Sequence, residues 1–212
     1  MTLPGLYAVL DDEVARREGW TLAGLAGALF AEGVRFVQVR AKTLPSGELL
    51  RQTEAVLRAG EPYGAMVIVN DRPDVARIAG AAGVHVGQED LPPADARRIV
   101  GDEALVGVST HTPAQIEAAA NEPVSYIAIG PVFGTRTKDT GYEPVGLGLV
   151  TRAAGAGRPV VAIGGITLER APAVIAAGAT SVAIISDLFV GGDPAARARA
   201  WLARLREAGA AL

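Results

Sequence analysis

The sequence predicts a (β/α)8 barrel, in which eight parallel strands close into a cylinder that is covered by helices. Eight short runs rich in Val, Ile and Ala recur along the 212 residues, and each is followed by a stretch with helical spacing. Half of the chain is apolar but only 5% is aromatic. Aliphatic runs of this kind are typical of buried parallel strands, and their alternation with helices indicates successive βαβ units.

The strands are predicted from the aliphatic runs in chain order. They are LYAVL from Leu6, RFVQVR from Arg35, MVIVN from Met66, GVHVG from Gly83, LVGVST from Leu105, YIAIG from Tyr126, PVVAIGG from Pro159 and SVAIIS from Ser181.

The intervening helices carry start and stop signals. Thr112-Pro113 and Asp193-Pro194 each place proline in a first helical turn. Glycine, which commonly ends helices, occurs where four of them should stop, at Gly33, Gly60, Gly80 and Gly178. Eight evenly spaced units leave no segment for a second domain, so one barrel domain over residues 1–212 is predicted. An open doubly wound sheet is the alternative.

Composition excludes several classes of function. The net charge is −3 without a long block of one sign, so nucleic acid is not an expected partner. No cysteine is present, which excludes disulfides, thiol catalysis and cysteine-bound metals. The chain begins without the features of a secretory signal, and no apolar run is long enough to span a membrane. We expect a cytoplasmic protein, and the sequence is compatible with a homo-oligomer.

In a barrel, active-site residues lie at the carboxyl ends of the strands. The second strand ends FVQVRAK, where a period of two places Gln38, Arg40 and Lys42 on one face and Ala41 on the other. Cationic side chains at a barrel mouth require an anion or a carboxylate beside them. Of the 20 Lys and Arg residues only Lys42 and Lys138 are lysines, and both fall in predicted site segments.

The third and fourth strands end in carboxylates. Asn70 and Asp71 follow the third, and Glu89 and Asp90 follow the fourth. Alone, Asp71 could cap the helix that begins at Pro73. Together, carboxylates from adjacent strand ends could hold Mg2+, which takes one or two of them and completes its shell with water and phosphate oxygens.

Other polar residues near strand ends allow two interpretations. His85 lies within the fourth strand and is more typical of a satisfied core residue than of a catalyst, and His111 follows the fifth strand. Ser109 and Thr110 could donate to a ligand or cap the helix at Pro113.

The last three strand ends suggest phosphate binding. Thr135, Thr137 and Lys138 lie in a glycine-flanked loop after the sixth strand, where hydroxyls, backbone N–H groups and a lysine can surround phosphate. Gly164-Gly165 should allow a ligand close to the backbone. The loops after strands seven and eight commonly bind phosphate in barrels, which predicts a monophosphate site at Gly165, Ile185 and Ser186.

As a set, these motifs resemble the thiamine phosphate synthase family between about Leu6 and Leu188. The matching segments are VQVRAK, VNDRPDVA, GVHVGQEDLP, GVST, GPVFGTRTK, VAIGGI and VAIIS. The resemblance implies a Mg2+-dependent transferase that joins hydroxymethylpyrimidine diphosphate to thiazole phosphate and releases pyrophosphate.

The resemblance also implies residue roles. Asn70 would contact the pyrimidine, and Asp71 and Asp90 would bind Mg2+. Thr135, Arg136 and Thr137 would lie against the thiazole phosphate, which Gly165, Ile185 and Ser186 would bind. The diphosphate would be held by Gln38, Arg40, Lys42, Ser109 and Lys138, of which Arg40, Lys42 and Lys138 would stabilise the leaving group.

The chain departs from the family at two positions. Ala41 stands where the family usually has an acidic residue, and Gly134 where it usually has proline. A related thiazole tautomerase usually has histidine at the position of Pro131, so Pro131 and the pair Asp71 and Asp90 favour the synthase. The tautomerase and a non-catalytic phosphate-binding barrel are the alternatives.

Overall fold

The computed structural model describes residues 3–134 and 141–211. Its eight parallel strands form a closed barrel in sequence order, with β8 paired to β1. The strands are β1 Leu6–Asp11, β2 Phe36–Arg40, β3 Met66–Asn70, β4 Gly83–Val86, β5 Leu105–Thr110, β6 Tyr126–Ile129, β7 Val160–Ile163 and β8 Ser181–Ile184. Closure confirms the predicted barrel and excludes the open sheet.

Helices connect the strands on the outside of the barrel. They are α1 Asp12–Arg17, α2 Leu22–Ala31, α3 Ser46–Gly60, α4 Pro73–Ala79, α5 Pro93–Val100, α6 Pro113–Ala120, α7 Gly146–Ala154, α8 Ala171–Ala176 and α9 Pro194–Glu207, with short 3-10 helices at Glu61–Tyr63 and Ser186–Phe189. Among the residues that the structure describes, no helix is long and apolar enough to cross a membrane.

The predicted caps are confirmed. The side chains of Thr112 and Asp193 accept hydrogen bonds from the first turns of α6 and α9. Gly80 ends α4 in the left-handed region, with φ 71°. Gly60 is the last residue of α3 but has a negative φ, since the chain continues into a 3-10 turn that Gly64 ends with φ 62°.

The alternation of side chains along the strands produces two apolar layers. On β1, Leu6 and Leu10 pack outward against the helices, whereas Tyr7 and Val9 belong to a second cluster inside the barrel. Ala41 packs against the outer layer, away from the barrel interior, as the sequence predicts.

Three aromatic rings fill the lower part of the barrel interior. Tyr7 and Phe36 stack with their centroids 3.8 Å apart, and Tyr126 meets both edge-on. Gly107 makes room for Tyr126, because a Cβ atom at this position would lie 2.1 Å from the Tyr126 Cζ. The polar groups of the site lie above these rings.

Candidate active site

A cavity of about 450 Å³ opens at the carboxyl ends of the strands. Its wall combines apolar strand residues with polar groups from most of the strand ends. Among the predicted site residues, the wall includes Gln38, Arg40, Asn70, Ser109, Gly165, Ile185 and Ser186. The fold therefore brings together residues that lie up to about 150 positions apart in the chain.

The cation at the end of β2 already has a partner. Arg40 Nη1 forms an ion pair with the Asp11 carboxylate, and both side chains are largely buried. Asp11 also accepts a hydrogen bond from the Val14 N–H and thereby caps α1. The sequence predicted an anion or a carboxylate beside the cations of this strand end but did not identify Asp11. The place of Asp11 at the end of β1, the strand paired with β2, was a usable signal.

Lys42, Asp71 and Asp90 form a second charged group beside the cavity. Lys42 Nζ lies 3.2 Å from Asp71 Oδ2. Burial and the nearby Asp90 carboxyl raise the pKa of Asp71, while Lys42 opposes this effect. Two carboxyls and one ammonium therefore converge where β2, β3 and β4 end.

Asp71 has a backbone conformation unusual for its residue type. Its φ is 62°, in the left-handed region, and its N–H donates to the His85 carbonyl 2.7 Å away. The N-cap position of α4 is held by Arg72 rather than by Asp71. The capping interpretation of Asp71 is therefore wrong, and its carboxyl points to Lys42 and Asp90 instead.

The pair Asp71 and Asp90 fits the preferences of Mg2+. Asp90 is held in place by a hydrogen bond of 2.8 Å from the Gly87 N–H to its Oδ2. Within the described ranges no cluster of three or more His, Asp or Glu side chains forms a metal site. A pair of carboxylates suits an ion that takes its other ligands from water and substrate phosphate.

A chain of hydrogen bonds crosses the barrel beneath the cavity. Gln38 Nε2 lies 2.9 Å from Tyr7 Oη, which is 3.1 Å from Tyr126 Oη. Tyr126 Oη lies 3.0 Å from His85 Nδ1, and His85 Nε2 lies 2.9 Å from Ser109 Oγ. His85 is thus a satisfied buried residue, as predicted, although it also lines the cavity.

Neither hydroxyl at the end of β5 caps α6. Thr112 is the cap, Thr110 donates to the Ala128 carbonyl on the outer face, and Ser109 faces the cavity. The capping interpretation of Ser109 is therefore wrong, and its contact with a ligand stays a prediction.

The glycines after β7 have a structural role that the sequence did not predict, in addition to their place on the cavity wall. A Cβ atom on Gly164 would lie 2.6 Å from the Pro131 Cα, and one on Gly165 would lie 2.4 Å from the Gly134 carbonyl oxygen. These glycines let the loop after β6 approach the loop after β7, with a hydrogen bond from the Phe133 N–H to the Gly164 carbonyl. A side chain at either position would therefore collide with the loop after β6, and the approach of a ligand to this backbone stays a prediction.

Arg170 is a cavity residue that sequence reasoning missed. Its Nη1 donates to the Gly165 carbonyl at 2.7 Å, and its guanidinium lies 4.6 Å from the centroid of the Phe133 ring. It follows β7 in the segment GGITLER, so a cation in this strand-end loop was a usable signal. Four predicted site residues, Thr135, Arg136, Thr137 and Lys138, lie outside the described residues.

The fold and the cavity together define a (β/α)8-barrel enzyme whose polar site is built from strand ends. Comparison with known proteins identifies the family. Residues 6–188 match the family described as thiamine monophosphate synthase, and the chain belongs to this family of transferases. The resemblance drawn from the motifs is confirmed.

Individual relatives agree over nearly full length. The chain is 43% identical to the thiamine-phosphate synthase of Koribacter versatilis, with 95% of this chain and 96% of the relative covered. It is 44% identical to a putative thiamine-phosphate synthase of Geobacter sulfurreducens, with 94% and 93% covered. Among solved structures, thiamine phosphate pyrophosphorylase from Pyrococcus furiosus is similar with a TM-score of 0.87, 26% identity and 96% of both chains covered.

Proposed function

We propose that the chain is a Mg2+-dependent thiamine phosphate synthase that joins hydroxymethylpyrimidine diphosphate to thiazole phosphate and releases pyrophosphate. Family membership supports the reaction. The observation that carries the site assignment is the convergence of Lys42, Asp71 and Asp90 beside a cavity that Arg40 and Asn70 line. Cations and a pair of carboxylates at one rim suit a metal-bound diphosphate.

The reaction exchanges one bond for another at the pyrimidine methylene carbon. The bond from this carbon to the diphosphate oxygen breaks, and the electron pair leaves with pyrophosphate. The thiazole nitrogen supplies its lone pair for the new C–N bond and becomes positively charged. No proton has to move, so the site needs charge stabilisation and positioning rather than a side-chain base. The aminopyrimidine can delocalise the developing cation, which favours a dissociative path.

The residues at the end of β2 would stabilise the leaving group. Arg40 and Lys42 already face carboxylates across the rim, so their side chains are held before a substrate arrives. Preorganised charges of this kind lower the barrier without reorganisation during the reaction. With Gln38 and Ser109 on the cavity wall, they form the proposed diphosphate site, to which Lys138 would add a further cation.

Asp71 and Asp90 would hold Mg2+, and the bound ion would supply positive charge to the diphosphate oxygens. Asp71 has a raised pKa because it is partly buried beside a second carboxyl. A divalent cation would relieve this repulsion. Asn70, on the cavity wall next to this pair, would contact the pyrimidine.

The second substrate would bind on the opposite side of the cavity. Gly165, Ile185 and Ser186 are wall residues after β7 and β8, and they would bind the thiazole phosphate together with Thr135, Arg136 and Thr137. Two separate anion sites across one cavity would hold the thiazole nitrogen in line with the departing diphosphate.

An assay with both substrates tests the proposal. We expect thiamine phosphate and pyrophosphate in equal amounts when both substrates and Mg2+ are present, no product after chelation of the metal, and recovery when Mg2+ is added back. Each substrate alone is the control. Isomerisation of the thiazole substrate alone without metal would instead identify a tautomerase. Binding of phosphate ligands without turnover would identify a non-catalytic barrel.

A further inference from the structure

We infer that Tyr126 is a positioning residue whose hydroxyl orients the Ser109 hydroxyl as a hydrogen-bond donor to the diphosphate. The inference rests on the proposed function, in which Ser109 contacts that group. Tyr126 is the middle member of the hydrogen-bond chain beneath the cavity. The chain joins side chains from five strands, in the order Gln38, Tyr7, Tyr126, His85 and Ser109.

The donor-to-acceptor direction along this series of hydrogen bonds is set at Gln38. Its Nε2 can only donate, so Tyr7 Oη accepts. Burial raises the pKa of both Tyr7 and Tyr126, so each hydroxyl keeps its hydrogen. Tyr7 is buried, and within the described part of the chain Tyr126 Oη is the hydrogen-bonding partner left for the Tyr7 hydrogen. Because an unpaired buried hydroxyl is costly, Tyr7 donates to Tyr126.

The same reasoning fixes the tautomer of His85. Among the residues that the structure describes, His85 Nδ1 is left to accept the Tyr126 hydrogen. Because Nδ1 accepts, the ring proton of His85 sits on Nε2 and is donated to Ser109 Oγ. With its oxygen engaged as an acceptor, Ser109 presents its own hydrogen to the cavity that it lines. A hydroxyl held as a donor suits an anionic phosphate oxygen.

Tyr126 influences the ligand only through its neighbours. It is fully buried, and in the described structure Tyr7, His85 and Ser109 form the cavity wall above it. Its ring is fixed by contacts with Tyr7 and Phe36 and by a stacked His85 ring 5.6 Å away. Replacing tyrosine with phenylalanine keeps these ring contacts and removes only the central hydroxyl.

The first test determines the tautomer of His85 and needs no enzyme activity. The chain has two histidines, His85 and His111, and ¹H–¹⁵N correlation spectra of imidazole-labelled protein distinguish their protonated nitrogens. His111 is an internal reference, because its Nδ1 must carry a proton to bond to the Gly130 carbonyl. We expect the His85 ring to carry a proton on Nε2 and none on Nδ1. A proton on its Nδ1, in either the neutral or the charged ring, overturns the inference.

The second test is kinetic and uses Tyr126→Phe in two backgrounds. We expect kcat/KM for the pyrimidine diphosphate to fall about 10-fold, the scale of one hydrogen bond to a charged group, with KM for thiazole phosphate unchanged. In a Ser109→Ala background the same change should cost little more, because the hydroxyl that it orients is gone. Thr110→Val is the matched control, since it removes a buried hydroxyl from the other face of the same strand; we expect wild-type kinetics.

An equal loss from Tyr126→Phe with and without Ser109 overturns the inference, as does no loss at all. A loss of the same size in Thr110→Val also overturns it, because general disturbance of the barrel would then explain the effect. An inactive wild-type protein would count against the proposed function instead. The His85 tautomer would still decide whether the hydrogen bonds run in the inferred direction.

Discussion

At the residue scale, the rim of the barrel combines charges that balance each other before any ligand binds. Arg40 is paired with Asp11, and Lys42 with Asp71. Asp71 has the least favourable environment of these residues, because burial and Asp90 raise its pKa and its backbone φ is positive. Residues held in unfavourable environments are common at functional sites, where the surrounding fold compensates for their free-energy cost and the residue serves activity.

The variant Asp71→Asn tests this assignment. Asparagine tolerates the left-handed conformation and keeps the shape of the side chain, but it removes the negative charge that would hold Mg2+. We expect turnover at saturating substrate to fall roughly 10²–10³-fold, the scale for one preorganised electrostatic group. The melting temperature should not fall, since the raised pKa of Asp71 means that its charged form is disfavoured in the folded protein.

Asp74→Asn is the matched control for that variant. Asp74 lies three residues further along, is half exposed, and is paired with Arg72 on the surface. We expect normal turnover, because a surface ion pair contributes little to stability and this one lies outside the cavity wall. Equal turnover in the two variants would show that Asp71 has no special role.

At the scale of secondary structure, the sequence predicts all eight strands within about a residue of their observed starts, because each is a short run rich in aliphatic residues that contrasts with the helical stretch after it. The prediction of where α3 ends was less accurate. Gly60 ends the helix, but the left-handed turn falls at Gly64, since a 3-10 turn separates the two. Local sequence patterns do not determine whether an α-helix continues into a 3-10 turn before it ends.

The variant Gly107→Ala tests how the barrel interior is packed. The added methyl would lie 2.1 Å from the Tyr126 Cζ, so the ring must move within a filled core. Overpacking of this kind costs about 1–3 kcal/mol, which for a domain of this size lowers the melting temperature by ~2–12 °C. Gly27→Ala is the control: Gly27 lies within α2, and an added methyl would meet nothing within 4 Å, so alanine should leave stability unchanged or raise it.

A melting temperature for Gly107→Ala equal to that of the wild type would mean that the Tyr126 ring can shift freely. Such freedom would also weaken the inference that this tyrosine orients its neighbours. Thermal unfolding followed by circular dichroism measures both variants under the same conditions.

At the scale of the whole molecule, barrel closure explains which parts of the site the sequence could predict. Neighbouring strands in the chain are neighbours in the barrel, so Lys42, Asp71 and Asp90, which follow β2, β3 and β4, converge as expected. Contacts across the interior could not be predicted in this way. Tyr7 and Tyr126 are 119 residues apart, and their hydrogen bond depends on the height of each ring inside the closed barrel.

The same geometry predicts that metal and pyrophosphate stabilise the fold jointly. Each would complete the other's binding site at the rim. The rise in melting temperature with Mg2+ and pyrophosphate together should therefore exceed the sum of the rises that each causes alone. A ligand at 100 times its dissociation constant adds about 2.7 kcal/mol, or ~5–11 °C for a domain of this size. Asp71→Asn should lose the part of the rise that depends on Mg2+ but keep any rise caused by thiazole phosphate, whose proposed site lies across the cavity. An equal rise without Mg2+, or one that Asp71→Asn leaves intact, would contradict a metal held by this carboxylate.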